Sequence, residues 1–167
     1  MAKATVSSVF SHWNTLIQGL QASPKDFYTS VEESINKMGI PDVKLSRVDW
    51  KEGGMLSAKR EYLQVRRKEY LFDICGAPFG NGFFVSWWLG EVQSGFLYFL
   101  ANIPIIGIIF RLFIRPMTYY KMDTANMFQS AIQSAVMEAV DGLTKAKGIR
   151  ALSELERKPI LRDFYNR

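Results

Sequence analysis

The stretch YLFDICGAPFGNGFFVSWWLG, Tyr70 to Gly90, decides the fold class. Two runs rich in aromatic and apolar residues flank a segment of glycines, asparagine and one proline. Runs of this composition are strands, and such a segment folds one back on the other. Working outward, the basic turn RRKE (residues 66–69) leads back to MLSAKREYLQV, and the turn KEGG (51–54) leads back to VKLSRVDW. Three hairpin connections predict a four-stranded antiparallel meander over residues 43–90.

On both sides of the meander the period reads as helical. In SPKD, Ser23 is placed to cap a helix, Pro24 to open it and Asp26 to meet the positive end of its dipole. Phe27, Val31, Ile35 and Met38 line one face, and Gly39 to Pro41 stop it. Further upstream, Val6, Val9, Phe10, Trp13, Leu16, Ile17 and Leu20 follow the i, i+3, i+4, i+7 rule. They predict another helix, with His12 on its polar side. Downstream, a long helix is expected from Tyr119 to Ala146, ended by Gly148. Its Ala131, Ala135 and Ala139 recur every fourth residue, a spacing that admits a close helix neighbour and supports assembly into oligomers. The charged tail, 149–167, is expected to hold one short helix from Ser153 to Lys158. The expectation is one α+β domain over residues 1–167. It has two N-terminal helices, the meander, an apolar helical hairpin, a long C-terminal helix and the tail.

The hairpin is read from GFLYFLANIPIIGIIFRLFIRP, residues 95–116. No charge falls between Glu91 and Arg111, yet Pro104 and Gly107 break the run. Two limbs result, Phe96–Ile103 and Ile105–Ile114. As helices they reach only ~12–15 Å, about half of a hydrocarbon core. That length suits a re-entrant or monotopic hairpin and is too short for a span. The first limb offers Phe96, Leu97, Phe99, Leu100 and Ile103 to a membrane or a partner. The second offers Ile105, Ile106, Ile108, Ile109, Phe110 and Phe113. Arg111, Arg115 and Lys121, with Trp87, Trp88 and Tyr119, have the chemistry of headgroup contacts. The leading expectation is a non-enzymatic protein at an anionic lipid surface. Alternatives are a soluble homo-oligomeric binding or assembly module that buries the hairpin between subunits, and an enzyme with a carboxylate site at Asp73 or Glu91. A hairpin that merely covers its own sheet stays open beside these.

Charge and composition narrow the chemistry. The net charge of +5 and pI near 9.3 allow an anionic partner but do not by themselves call for one. Between Lys44 and Lys68 stand eight bases: Lys44, Arg47, Lys51, Lys59, Arg60, Arg66, Arg67 and Lys68. Tyr62 and Tyr70 are close by, but Asp49, Glu52, Glu61 and Glu69 are interleaved. That interleaving reads as a solvated sheet face, so nucleic acid is not an expected partner. One cysteine and one histidine rule out an intramolecular disulfide framework and a Cys/His zinc site. GAPFGNG has neither the Walker spacing nor GxGxxG, so it is read as a hairpin loop whose Phe79 forms an exposed tip beside the apolar hairpin. Cys75 is read as a buried, inert thiol, and Asp73 as the partner of an arginine in QVRR. No catalytic residue, metal or cofactor is assigned. The N-terminus carries no apolar h-region, so the expected location is the cytoplasm or the cytoplasmic face of a membrane.

Overall fold

The computed structural model describes residues 6–51, 59–92 and 118–161. Among these, six strands form one antiparallel sheet and two helices pack on one of its faces. In chain order they are β1 (Val6–Gln18), α1 (Pro24–Lys37), β2 (Val43–Lys51), β3 (Lys59–Arg67), β4 (Tyr70–Phe79), β5 (Gly82–Val92), α2 (Tyr119–Ala146) and β6 (Ile160–Leu161). The sheet order is β2-β3-β4-β5-β1-β6. The α+β class and the β2–β5 meander are as expected, but the sheet has six strands rather than four.

The largest correction is at the N-terminus, where residues 6–18 form a strand. Ser8 to Gln18 pair along β5 from Glu91 back to Gly82, with register shifts between Val6 and Ser8 and between Val9 and Ser11. The second shift explains the misleading period. An extra residue at a bulge re-aims the side chains after it, so Phe10 and Trp13 are both buried at a helix-like spacing of three. Beyond it the strand alternates: Trp13 and Ile17 enter the core while Asn14, Leu16 and Gln18 are exposed. Ser, Thr, Asn, Val and Ile are weak helix formers, and long-range pairing with β5 decides the outcome.

The second correction is in the tail. Residues 154–157 form a turn, not a helix. Arg150 and the backbone and hydroxyl of Ser153 all bond the Glu156 carboxylate, which Arg150 first and Ser153 second push down to about 2. Arg157 grips Asp141 of α2 through both terminal nitrogens, at 2.9 and 2.7 Å, and Trp13 donates its indole N–H to the Glu156 carbonyl at 2.6 Å. β6 then pairs with β1 at Ser11 and His12.

Both helices keep their expected bounds. Ser23 caps α1, accepting from the Asp26 N–H, and Pro24 opens it. Phe27, Val31 and Ile35 are buried, whereas Met38, at the C-cap, is 39% exposed. At the start of α1 the Tyr28 hydroxyl donates to the Glu61 carbonyl at 2.6 Å and accepts from the Gly76 N–H at 3.1 Å. The recorded β3–β4 pairing begins at Leu63 and Ile74, so this hydroxyl bridges the two strands beyond the paired stretch. Gly76 is required there, because a Cβ would fall inside the Phe27 ring. In α2, Ala135 and Ala139 are buried within the chain and Ala131 is partly exposed. The small-residue face therefore serves packing inside this chain, where Ser34 of α1 donates to Glu138 of α2 at 2.8 Å.

Candidate functional site

Strand alternation divides the sheet into two faces. Toward the helices point Leu63, Val65, Phe72, Ile74, Val85 and Trp87, all fully buried. On the opposite face, strand register aligns a polar row. Ser46, Gln64, Asp73, Trp88 and His12 are successive cross-strand neighbours from β2 to β1. Gln64 donates to Asp73 Oδ1 at 2.7 Å. Burial pushes the Asp73 carboxyl above its ordinary range, and the Gln64 bond opposes that rise. Trp88 is 43% exposed, and His12 stacks on it with ring centroids 4.5 Å apart and planes at 10°.

One row along lie Cys75, Ser86 and Asn14. Cys75 is fully buried and burial raises its thiol, which leaves it an inert neighbour of Tyr62 rather than a nucleophile. Lys44, Arg66, Leu71 and Gly90 form the row on the other side.

Several expected site residues change place. Trp87 has the chemistry of a headgroup contact, but it is fully buried between Trp13 and Ile74, its ring 5.3 Å from that of Phe72. Neighbours on one strand face opposite ways, so Trp87 and Trp88 cannot act together. The Trp87 indole N–H has no acceptor among the described residues. Asp73 meets Gln64 directly opposite it, not an arginine, since Arg66 and Arg67 lie further along β3. Phe79 is 68% exposed at the β4–β5 turn, at the opposite end of β5 from Val92, and the apolar hairpin expected beside it lies outside the described residues.

A second cluster forms where β5 ends and α2 begins. The Val92 N–H donates to the Glu69 carbonyl at 2.7 Å, and the Tyr70 hydroxyl donates to the Lys121 carbonyl at 3.0 Å. Tyr119 and Tyr120 are 87% and 78% exposed there. Arg66, Arg67, Lys68 and Lys121 share this end with Asp42, Glu69, Glu91 and Asp123, so its charge is mixed. Of the expected contacts, Phe96 to Phe113, Arg111 and Arg115 lie outside the described residues.

Among the described residues no helix is long and apolar enough to cross a membrane, and no group of three or more His, Cys, Asp or Glu is placed to hold a metal ion. No protein-family model, curated protein or solved structure matches the chain.

The polar row is hidden in the sequence because its two ends lie in segments whose local patterns point elsewhere. A helical period surrounds His12, and the Trp87–Trp88 pair resembles an aromatic belt. Burial alternates over residues 13–18 in the structure, but the residues themselves read Trp-Asn-Thr-Leu-Ile-Gln, so no period-two signal places His12 on a strand.

Proposed function

We propose that the chain is a non-enzymatic, membrane-associated protein that inserts the apolar stretch 95–116 into one leaflet as a hairpin. The observation that carries this reading is where the connection is rooted. Val92, before it, bonds to Glu69, and Lys121, after it, bonds to Tyr70, so both roots meet adjacent residues at the start of β4. An apolar connection rooted at one point enters and leaves a bilayer from the same side, which suits a monotopic hairpin. Exposed Tyr119 and Tyr120 flank the return, where ring and hydroxyl suit the headgroup zone. On the helix side of the sheet, α1 and α2 already bury Phe27, Val31, Ile132 and Val136. Hydrophobicity beyond the needs of that core favours a lipid surface or a partner.

Flotation of the intact chain with vesicles tests the reading. The expected result is co-flotation with anionic vesicles, weakened by salt, and abolished by Ile106→Asp with Ile109→Asp. A parent chain that stays at the bottom without detergent overturns it. A detergent-independent oligomer split by the same substitutions would instead favour a subunit interface.

A further inference from the structure

We propose that the outer edge of β2 is a dimer interface, on which a second copy of this chain pairs antiparallel with Val48 at the two-fold axis. An open sheet edge is a template for another strand, and proteins blunt their edges with short strands, prolines or bulges. Strand β2 has none of these. It runs nine residues without proline, in unbroken register with β3 from Val43 to Lys51. Among the described residues no strand pairs with its outer side. From Val43 to Trp50 no residue is buried, and Lys44, Ser46 and Asp49 are exposed. The opposite edge differs, since β1 carries register shifts and both β6 and the Glu156 carbonyl sit against it.

Which backbone groups face outward follows from the turn that joins β3 to β4. Arg67 and Tyr70 flank the two-residue turn at Lys68 and Glu69, and the ends of such a hairpin exchange hydrogen bonds. Odd-numbered residues of β3 therefore face β4. The Tyr28 hydroxyl shows the same, because it joins the Glu61 carbonyl to the Gly76 N–H in the gap between those strands. Even-numbered residues of β3 then face β2, and by register Lys44, Ser46, Val48 and Trp50 face back toward β3. Val43, Leu45, Arg47, Asp49 and Lys51 are left with N–H and C=O turned outward.

Charges choose the register. A two-fold axis normal to the sheet matches each face with the same face of the second copy. Centred on Arg47, it opposes two guanidinium groups; centred on Asp49, two carboxylates. Centred on Val48, it sets Arg47 opposite Asp49 twice and Leu45 opposite Lys51 twice, and every outward residue from Leu45 to Lys51 is bonded. Opposite charges directly across a ladder stabilise it, and like charges weaken it. Arg47 gives Glu32 its Nε and one terminal nitrogen, at 2.9 and 3.1 Å, which leaves its other terminal nitrogen for Asp49 of the second copy. Asp49 itself has no ion pair among the described residues. Both copies then turn their helices to the same side of one continuous sheet.

A single strand edge is a small interface, so the dimer is weak and its population rises with concentration. The test is sedimentation equilibrium of the intact chain from about 5 to 500 μM, in a mild detergent that covers the apolar stretch. A monomer–dimer equilibrium is expected. Asp49→Arg turns both attractions into repulsions and should weaken it by at least about tenfold. Val48→Cys should give a disulfide-linked dimer on mild oxidation, because the two copies meet there as a close, non-hydrogen-bonded pair, whereas Ser46→Cys should not. Amide exchange supplies a third readout. The N–H groups of Leu45, Arg47 and Asp49 should exchange more slowly as concentration rises, while those of Lys44, Ser46 and Val48, bonded within the monomer, stay unchanged. Thermal melting establishes that each variant is folded. The proposal is overturned by a monomer across the whole range, by a folded Asp49→Arg protein that dimerises like the parent, or by cross-linking as strong through Ser46→Cys as through Val48→Cys. A dimer that forms only without detergent and is split by Ile106→Asp with Ile109→Asp also overturns it, and assigns association to the apolar stretch.

Discussion

Two glycines separate crowding from empty space at the residue scale. A methyl at Gly76 has nowhere to go because the Phe27 ring occupies its position, whereas a methyl at Gly142, inside α2, would meet nothing within 4 Å. Gly76→Ala is expected to destabilise the fold by about 1–3 kcal/mol as the ring is displaced. Gly142→Ala should stabilise it by about 0.5–1 kcal/mol through helix propensity. Urea unfolding midpoints check both signs. Asp73 makes a pH prediction. Its carboxyl is raised in the folded chain, so the unfolded chain gives up that proton first. Stability then falls as pH rises from its ordinary value of 3.8 through the raised one. Asp73→Asn removes that fall, so its stability relative to the parent should grow over that window and stay level below it, as thermal melts in a pH series would record. That Asp73 lies within an apolar strand is legible in YLFDIC. Its partner is not, because Gln64 becomes its neighbour only through the β3–β4 register.

Local chemistry marks some elements and not others. Helices α1 and α2 carry their own signals, with a cap at Ser23 and Thr118 and a left-handed glycine at Gly39 and Gly148 beyond their ends. The meander is equally plain, since each hairpin is closed by nearby residues. Strand β1 is not legible, because its partner β5 is remote in sequence and a bulge gives it a helical period. The same limit applies to β6, two residues whose strand identity rests on β1 alone. Beside the Trp13 bond to Glu156 and a bond from Gln133 to the Arg157 carbonyl, that tail is held by Arg157 on Asp141, a bidentate but partly exposed pair with side chains 23% and 43% accessible. Arg157→Ala is expected to cost about 0.5–1 kcal/mol, at the modest level of solvent-screened pairs. Hydrogen exchange should show the β6 amides losing protection before those of β4 and β5.

On the proposed reading, the described residues are the folding unit and residues 94–116 are a connection. Because Val92 and Lys121 are both tied to the start of β4, a short bridge satisfies the geometry there. Replacing residues 94–116 by about six Gly and Ser residues is expected to preserve the circular dichroism spectrum and cooperative unfolding, since shortening a loop lowers its closure entropy. The same protein should no longer float with anionic vesicles. The pairing of β1 with β5 has a further consequence, during synthesis. Strand β1 leaves the ribosome first, carrying Phe10, Trp13 and Ile17, yet its partner ends only at Val92. At ~5–20 residues per second the intervening chain takes roughly 4–15 s to appear. For that interval an apolar N-terminal segment with a helix-like period stands without its strand, within reach of nascent-chain chaperones and of any membrane nearby.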